Sequence, residues 1–282
     1  MESQTTGQRV GWVSVGALVG TLLGSPVTWL KNTLLFHPNV RVETSPAAYG
    51  LPYEEVWFGG PDGRTLHGWY IPSAGPTGPG QEPLFIWFHG NAGNMGHRLS
   101  HLRVLYDHVG SSHFLFDYQG YGKSRGKPSI PGILADGREA IAFVHQRGWA
   151  VRKPLVYFGE SLGAAVVIAL AVEEAPPSRV ILLAPFHSLR AMGDLRLPLL
   201  SFLVEQDLNS ARLIGKLQAP LLVIHGTEDR TVPFQQGQDL FALAPPPKRF
   251  YAVAGGGHTN LHESGGSAYT QTIRAFVFGP IS

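Results

Sequence analysis

The sequence predicts an α/β domain built on a doubly wound, mostly parallel sheet of about eight strands with helices on both faces. Two observations support this fold class. Short, continuously apolar segments recur along the chain, and segments with helical periodicity lie between most of them. Continuous apolar runs are typical of strands covered on both faces, and strand–helix alternation is typical of right-handed parallel crossovers.

The predicted strands follow one another along the chain. The first two, EEVWFG from Glu54 and TLHGWYI from Thr65, form a pair joined by a turn at Asp62-Gly63. After a glycine- and proline-rich loop, six more strands follow, with the sequences LFIWFHG, HFLFDY, PLVYFGES, RVILLAP, PLLVIHG and RFYAVAG.

Helical periodicity fills the gaps between these strands. Apolar residues share one face in three segments: Leu102, Leu105 and Val109; Leu134, Ile141 and Val144; Tyr269, Ile273, Phe276 and Val277. Pro131 favours a helix start near the beginning of the second segment. Only the stretch from His187 to Leu208 departs from the alternation of strands and helices, so we expect a minimal lid over any site.

Composition excludes several classes of function. The formal net charge is +2 and the basic residues are scattered singly, which disfavours a nucleic-acid partner. The chain has no cysteine, so disulfides, thiolate zinc sites and a cysteine nucleophile are excluded. His97 and His101 have the i, i+4 spacing of helical metal ligands, but no carboxylate of the H-E-x-x-H kind lies between them and we expect both on a solvated face. We therefore predict no metal and no cofactor.

The N-terminus differs in composition from the rest of the chain. The run from Val10 to Leu30 contains no charged residue and is long enough to cross a bilayer as a helix. We predict a retained membrane anchor at residues 1–31, with the side of the membrane left open because charges flank the run evenly. A cleaved signal peptide and a buried helix of the domain are the alternatives. A linker at residues 32–52 then leads into the main domain at residues 53–282.

Two segments match the G-x-S-x-G pattern of a nucleophile elbow, one around Ser124 and one around Ser161. An elbow needs a buried strand directly before the serine and a helix directly after it. Ser161 has both, since VYF precedes the elbow and AAVVIALAVEEA follows it. Ser124 lies well beyond its strand, and Pro128 and Pro131 forbid a helix that begins at the serine. We therefore predict Ser161 as the nucleophile.

A serine nucleophile needs a histidine base and an acid that orients the histidine. On a sheet with such an elbow, these residues follow in the order Ser, Asp or Glu, His, on loops after later strands. The loop TEDRTVP after PLLVIHG supplies Asp229, with Glu228 as the rival acid. The loop after RFYAVAG supplies His258, with His262 as the rival base.

Acyl transfer also needs N–H donors that stabilise an oxyanion. One donor is expected from the backbone of Leu162, at the start of the helix after the elbow. The other is expected from the glycine-rich turn in WFHGNAGN, where Asn91 is the first candidate and Ala92 the second. The alternative interpretation of this segment is a plain strand-to-helix turn.

Together, the segments LLFHPN, FHGNAGN, DYQGYGKSRGKPS, GESLGAA, PLLVIHGTEDRTVP and GGGHTN resemble the α/β-hydrolase superfamily, and in particular its small α/β-hydrolase-domain branch. The resemblance extends from about Leu34 to Phe278. It implies the α/β-hydrolase fold and maps the family's triad onto Ser161, Asp229 and His258. The branch contains lid-poor, often N-terminally anchored serine hydrolases, including depalmitoylating thioesterases.

Together with the uncharged N-terminal run, the resemblance leads us to predict a membrane-anchored serine hydrolase that cleaves carboxylic esters or acyl thioesters of small molecules or lipids, and we expect it to be monomeric. The chain lacks the N-terminal cysteine cluster of the eukaryotic depalmitoylases, so their substrate is not carried over. Ala164 follows Gly163 where oligopeptidase-like relatives have a second glycine, which argues against a peptidase. A serine peptidase or amidase and a catalytically silent binding module of the same fold are the alternatives.

Overall fold

The computed structural model describes residues 32–33, 35–60, 63–74, 82–151, 153–174, 176–196 and 208–280. The strands are β1 (His37–Pro38), β2 (Glu54–Phe58), β3 (Leu66–Ile71), β4 (Leu84–Phe88), β5 (Ala92–Gly93), β6 (Ser112–Asp117), β7 (Leu155–Glu160), β8 (Arg179–Leu183), β9 (Leu221–Gly226) and β10 (Lys248–Val253). The main sheet has eight strands in the order β10-β9-β8-β7-β4-β6-β3-β2. A separate two-stranded sheet joins β1 to β5.

The main sheet confirms the fold class predicted from the sequence. β2 is antiparallel to β3 and β3 is antiparallel to β6, whereas every other neighbouring pair is parallel. Every residue of β4, β6, β8 and β9 is buried, as their continuous apolar sequences require. Each of the eight predicted strand segments forms one strand of this sheet.

The helices cover both faces of the sheet. They are α1 (Leu99–Val109), α2 (Ile130–Gln146), α3 (Leu162–Glu173), α4 (Leu189–Arg196), α5 (Ser210–Leu213), α6 (Phe234–Leu243) and α7 (Leu261–Phe278). One cluster of buried apolar residues includes side chains of α2, α3 and α6, and a second includes side chains of α1 and α7. α3 is buried from Leu162 to Ala171 on all sides, which is typical of a helix enclosed by the core.

The start of α2 agrees with the sequence prediction. Pro131 lies in the first turn, where its missing N–H leaves no helical hydrogen bond unmade. Ser129 caps the helix, since its Oγ accepts the N–H of Gly132 at 3.1 Å.

The segment predicted as a linker, residues 32–52, packs on the domain along most of its length. Phe36 and Leu51 are buried in the core, and β1 pairs in parallel with β5 so that His37 lies opposite Ala92. The predicted anchor at residues 1–31 lies outside the described residues. Within the ranges described, no helix combines the length and the hydropathy needed to span a membrane.

Candidate active site

Ser161 occupies a strained turn between β7 and α3. β7 ends at Glu160 and α3 begins at Leu162, so Ser161 alone joins strand to helix. Its backbone has φ 52° and ψ −111°, a conformation that a residue with a Cβ rarely adopts. The Ser161 N–H donates to the carbonyl oxygen of Leu183 at 2.9 Å, which ties the turn to the end of β8. The turn has the geometry expected of a nucleophile elbow.

Close backbone contacts explain the glycines around this turn. A Cβ on Gly163 would lie 1.9 Å from the carbonyl oxygen of Phe88, and a Cβ on Gly159 would lie 2.6 Å from the carbonyl oxygen of Gly163. A Cβ built on Gly90 would lie 3.6 Å from the Cβ of Ser161. The loop after β4 therefore lies directly beside the serine.

The second candidate serine, Ser124, has a structural position. It is buried, its Oγ donates to the carbonyl oxygen of Asp117 at 2.6 Å, and the same Oγ accepts the N–H of His67 at 2.9 Å. These bonds tie the loop after β6 to β3. The hydroxyl is thus committed to backbone groups, in contrast to the partly exposed Ser161.

Asp229 and His258 form a hydrogen-bonded pair on the loops after β9 and β10. His258 Nδ1 donates to Oδ2 of Asp229 at 2.7 Å, and Oδ1 accepts the N–H groups of Thr231 at 2.8 Å and Val232 at 2.9 Å. Nε2 of His225 lies 3.3 Å from the same Oδ2.

These contacts set the ionisation of Asp229. Burial opposes the charged carboxylate, but the bonds from His225 and His258 outweigh it and lower the pKa of Asp229. The ionised acid fixes the His258 tautomer with the proton on Nδ1, which leaves Nε2 able to accept a proton.

Backbone hydrogen bonds hold the two loops of this pair together. The N–H of Thr227 donates to Val253 at 3.0 Å, and the N–H of Glu228 donates to Gly256 at 2.9 Å. Gly226 lies so close to the second loop that a Cβ there would be 2.2 Å from the carbonyl oxygen of Gly256. The relative position of the acid and the base is therefore built into the ends of β9 and β10.

The rival acid and base lie elsewhere. Glu228 is exposed and takes part in the loop through its backbone N–H. The His262 ring stacks on His101, with centroids 4.5 Å apart and an interplanar angle of 12°. Burial and the neighbouring charge of His101 lower the pKa of His262 to about 4. The geometry favours Asp229 and His258.

The predicted oxyanion donors flank Ser161 on two sides. Leu162 begins α3 directly after the serine, and Asn91 follows Gly90 in the loop beside it. Among the described residues, no acceptor is hydrogen-bonded to the backbone N–H of Asn91 or of Leu162. Ala92, the second candidate, is exposed and lies in β5. Two backbone N–H groups that lie beside Ser161 and have no acceptor in the described structure are suited to stabilise an oxyanion.

An arginine that the sequence did not single out connects this loop to the elbow. Arg98 Nη1 donates to the carbonyl oxygens of Ala92 at 2.9 Å and Asn94 at 3.1 Å, and its Nε donates to Oε2 of Glu160 at 3.3 Å. His101 Nδ1 lies 3.4 Å from the other carboxylate oxygen. Burial opposes ionisation of Glu160, but the bond from His101 and the charge of Arg98 lower its pKa to about 2.

The expectation that His97 and His101 share a solvated face is wrong. Residues Met95–Arg98 form a 3-10 helix and α1 begins only at Leu99, so the two histidines do not keep a common helical phase. His97 is exposed, whereas His101 is buried and its Nε2 is hydrogen-bonded to the Tyr269 hydroxyl at 2.8 Å. In the part of the chain that the structure describes, no group of three or more potential ligands is arranged to hold a metal ion.

Sequence comparisons identify relatives along most of the chain. A protein-family model described as serine aminopeptidase matches residues 81–211. An uncharacterized protein of Mycobacterium tuberculosis is 34% identical over 275 residues, which cover 96% of each chain. The alpha/beta hydrolase domain-containing protein WAV2 of Arabidopsis thaliana is 31% identical over 83% of this chain and 81% of its own.

Solved structures share the fold. An esterase of Pyrococcus furiosus superposes with a TM-score of 0.71 and 18% identity, covering 88% of this chain and 99% of the esterase chain. At this identity the likeness concerns the arrangement of the sheet and helices alone.

Proposed function

The chain belongs to the α/β-hydrolase superfamily, and on that premise we propose that it is a serine hydrolase that cleaves carboxylic esters or acyl thioesters through an acyl-enzyme. The observation that carries the proposal is the bond from His258 Nδ1 to the buried carboxylate of Asp229. This pair lies on loops after two adjacent parallel strands, and the strained Ser161 turn follows a third strand of the same parallel sheet.

The first half of the reaction acylates the enzyme. Ser161 Oγ attacks the carbonyl carbon of the substrate while His258 Nε2 takes the hydroxyl proton. The carbonyl oxygen becomes an oxyanion that the N–H groups of Asn91 and Leu162 stabilise. When the tetrahedral intermediate collapses, the bond to the alcohol oxygen or thiol sulfur breaks, and His258 returns the proton to that leaving atom.

The second half releases the acid. A water molecule attacks the acyl carbonyl carbon and gives its proton to His258 Nε2. The bond between the acyl carbon and Ser161 Oγ then breaks, and the serine takes the proton back. Asp229 stays ionised throughout and stabilises the imidazolium of His258 in both halves.

A covalent probe tests the proposal. A fluorophosphonate should label the wild-type protein at Ser161, because the elbow exposes an activated hydroxyl. Labelling should vanish in Ser161→Ala and persist in Ser124→Ala, whose folded state is checked by its thermal transition. An unlabelled wild type, or loss of labelling in a folded Ser124→Ala protein, would refute the assignment of the nucleophile.

A serine peptidase is the second candidate, favoured by the description of the family model that matches residues 81–211. A panel of p-nitrophenyl esters, acyl thioesters and peptide amides separates the two activities. The proposal requires ester or thioester turnover to exceed amide turnover. A protein that binds these acyl compounds without turnover or labelling would instead be a silent binding module.

The proposal includes a monomeric enzyme anchored by its N-terminal segment. The support is the uncharged run from Val10 to Leu30, and the side of the membrane is left open. The full-length protein should sediment with membranes and resist carbonate extraction. A mature protein whose N-terminus lies near Ser25 would establish a cleaved signal instead.

A further inference from the structure

Three hydrogen bonds from remote parts of the chain hold Asn91. The Tyr121 hydroxyl donates to the carbonyl oxygen of Asn91 at 2.7 Å. The backbone N–H of His37 donates to the same oxygen at 2.9 Å. The side-chain Nδ2 of Asn91 donates to the carbonyl oxygen of Leu35 at 2.9 Å. Both the backbone and the side chain of Asn91 are therefore fixed by groups outside its own loop.

These bonds hold the part of Asn91 from which its backbone N–H projects. Holding the carbonyl and the side chain fixes the Cα of Asn91 and with it the position of the amide nitrogen. His89 Nδ1 lies 2.8 Å from the carbonyl oxygen of Gly90, which belongs to the same peptide unit as this N–H. A donor stabilises a developing oxyanion only if its direction is set before the reaction, because reorganisation during the reaction would cost part of the stabilisation. The donor to be oriented is the backbone N–H of Asn91, which lies next to Ser161 and has no acceptor in the described structure.

Tyr121 is suited to this task. Its ring is buried and lies 5.0 Å from the His89 ring, so the hydroxyl has little freedom to move. Burial raises the pKa of Tyr121 above its ordinary value, which favours the protonated hydroxyl that acts as the donor. The next residue, Gly122, donates its N–H to the carbonyl oxygen of Asn39 at 3.0 Å.

The segment Leu35–Arg41, called the strap from here on, supplies the other bonds. The N–H of Asn39 donates to Gly93 at 2.9 Å, which continues the pairing of β1 with β5. Asn94 Nδ2 donates to the carbonyl oxygens of Asn39 at 3.0 Å and Arg41 at 2.8 Å. The strap thus runs alongside the whole loop from Asn91 to Asn94.

We propose that Tyr121 and the strap are positioning elements that fix the Asn91 amide for oxyanion stabilisation. The inference rests on the proposed acyl-enzyme mechanism. It extends the functional unit to the chain before the first strand of the main sheet and to the loop after β6, neither of which carries a reacting group.

A matched pair of tyrosine variants tests the proposal in the full-length protein. Tyr121→Phe removes the hydroxyl that holds Asn91. Tyr118→Phe removes a neighbouring buried hydroxyl to which no described residue is hydrogen-bonded. Both rings contact His89, with centroids 5.0 Å and 4.5 Å away. We expect Tyr121→Phe to lower kcat about tenfold at unchanged KM, and Tyr118→Phe to leave both parameters unchanged.

An inhibitor distinguishes positioning from a general structural effect. A boronic acid that forms a tetrahedral adduct with Ser161 should bind Tyr121→Phe about tenfold more weakly, in step with kcat, while the thermal transition shows that both variants are folded at the assay temperature. Equal kcat values for Tyr121→Phe and Tyr118→Phe, in an active wild type, would overturn the proposal. A wild type without turnover or labelling would overturn the proposed function instead.

A second pair tests the strap. The His37 side chain is exposed, so His37→Ala keeps the relevant N–H whereas His37→Pro deletes it. We expect His37→Pro to lose kcat and boronic-acid affinity together and His37→Ala to retain both. Equal values in the two folded variants would exclude the strap from the mechanism. If His37→Pro does not fold, the tyrosine pair still decides the proposal.

Discussion

The two halves of the candidate site are held together in different ways. The acid–base pair is local, because the contacts described for the Asp229 carboxylate come from the ends of β9 and β10 and the loops after them. The loop that carries Asn91 is held by groups distributed over the fold, among them Leu35, Tyr121 and Arg98. Two consecutive parallel strands and their loops therefore specify the first half, whereas the second half depends on segments from several parts of the fold.

This difference predicts how each half responds to substitution. Asp229 has several donors on one carboxylate, so its orientation should survive changes elsewhere in the chain. The Asn91 loop is held by individual hydrogen bonds from several residues. The loss of any one of them should change the orientation of the Asn91 N–H. Substitutions far from Ser161 should accordingly weaken oxyanion stabilisation more readily than they weaken the acid–base pair.

The largest effect is expected from the acid. Asp229→Asn should lower kcat by about 10⁴-fold with little change in KM, because an amide no longer fixes the His258 tautomer or stabilises its charged form. Steady-state kinetics on a soluble ester measures this.

Glu228→Gln is the matched control, since the exposed Glu228 contributes to the loop through its backbone. Its kcat should stay close to that of the wild type. The reverse ranking of the two variants would assign the acid to Glu228. The pair of Asp229 and His258 would then no longer be the locally held half of the site.

The sequence predicted the individual residues of the acid–base pair, Asp229 and His258, for a physical reason. Parallel strands end at one edge of the sheet, so residue types and chain order suffice to bring Asp229 and His258 together. The strands β4, β6, β8 and β9 were predicted because strands buried on both faces leave continuous apolar segments in the sequence. The edge strands β2 and β10 are partly exposed.

The loop that carries Asn91, and the groups that hold it, left weaker signals in the sequence. The strap contains a strand of only two residues, too short for any periodicity, so its bonds to Asn91 were not foreseen. The 3-10 turn before Leu99 shifts the helical phase, which places His101 in the core rather than on the predicted solvated face. Arg98 lies in that same turn, and its role depends on Glu160, a residue remote in sequence.

The second largest effect is expected at Arg98. Arg98→Gln should lower kcat by roughly tenfold to a hundredfold, because it removes charge-assisted bonds to the carbonyl oxygens of Ala92 and Asn94 and to Glu160. Initial rates on a saturating ester give the change.

Arg103→Gln provides the control for this prediction. Arg103 also pairs with a carboxylate, that of Asp107 at 2.8 Å, and donates to the Tyr49 carbonyl oxygen at 2.9 Å, on the same helical region. Loss of kcat in both variants to the same extent would mean that Arg98 contributes to stability alone.

A smaller effect is expected in the pH dependence of stability. The pKa of Glu160 is lowered from 4.5 to about 2, so its carboxylate stabilises the fold above pH 4.5 and this contribution is lost as the pH falls towards 2. The free energy of unfolding in urea should therefore fall less between pH 6 and pH 3 in Glu160→Gln than in the wild type.

The exposed pair of Glu173 with Arg138 is the control for this measurement. Glu173→Gln should show the wild-type pH dependence, because exposed ion pairs contribute little to stability. An unchanged pH dependence in Glu160→Gln would show that Arg98 and His101 do not hold its carboxylate in the ionised state.

The smallest effect is expected from removing residues 1–31. Every contact described for Asn91 comes from Leu35 or later in the chain, and Phe36 donates its N–H to the Asn32 carbonyl oxygen at 2.9 Å. A chain that begins at Asn32 should therefore fold and turn over a short soluble ester at the full-length rate. A chain that begins at Val40 loses the strap bonds at Leu35 and His37 and should lose kcat even where circular dichroism shows it folded. Equal kcat values for the two truncated proteins would mean that the oxyanion loop is as locally supported as the acid–base pair, and would remove the distinction between the two halves.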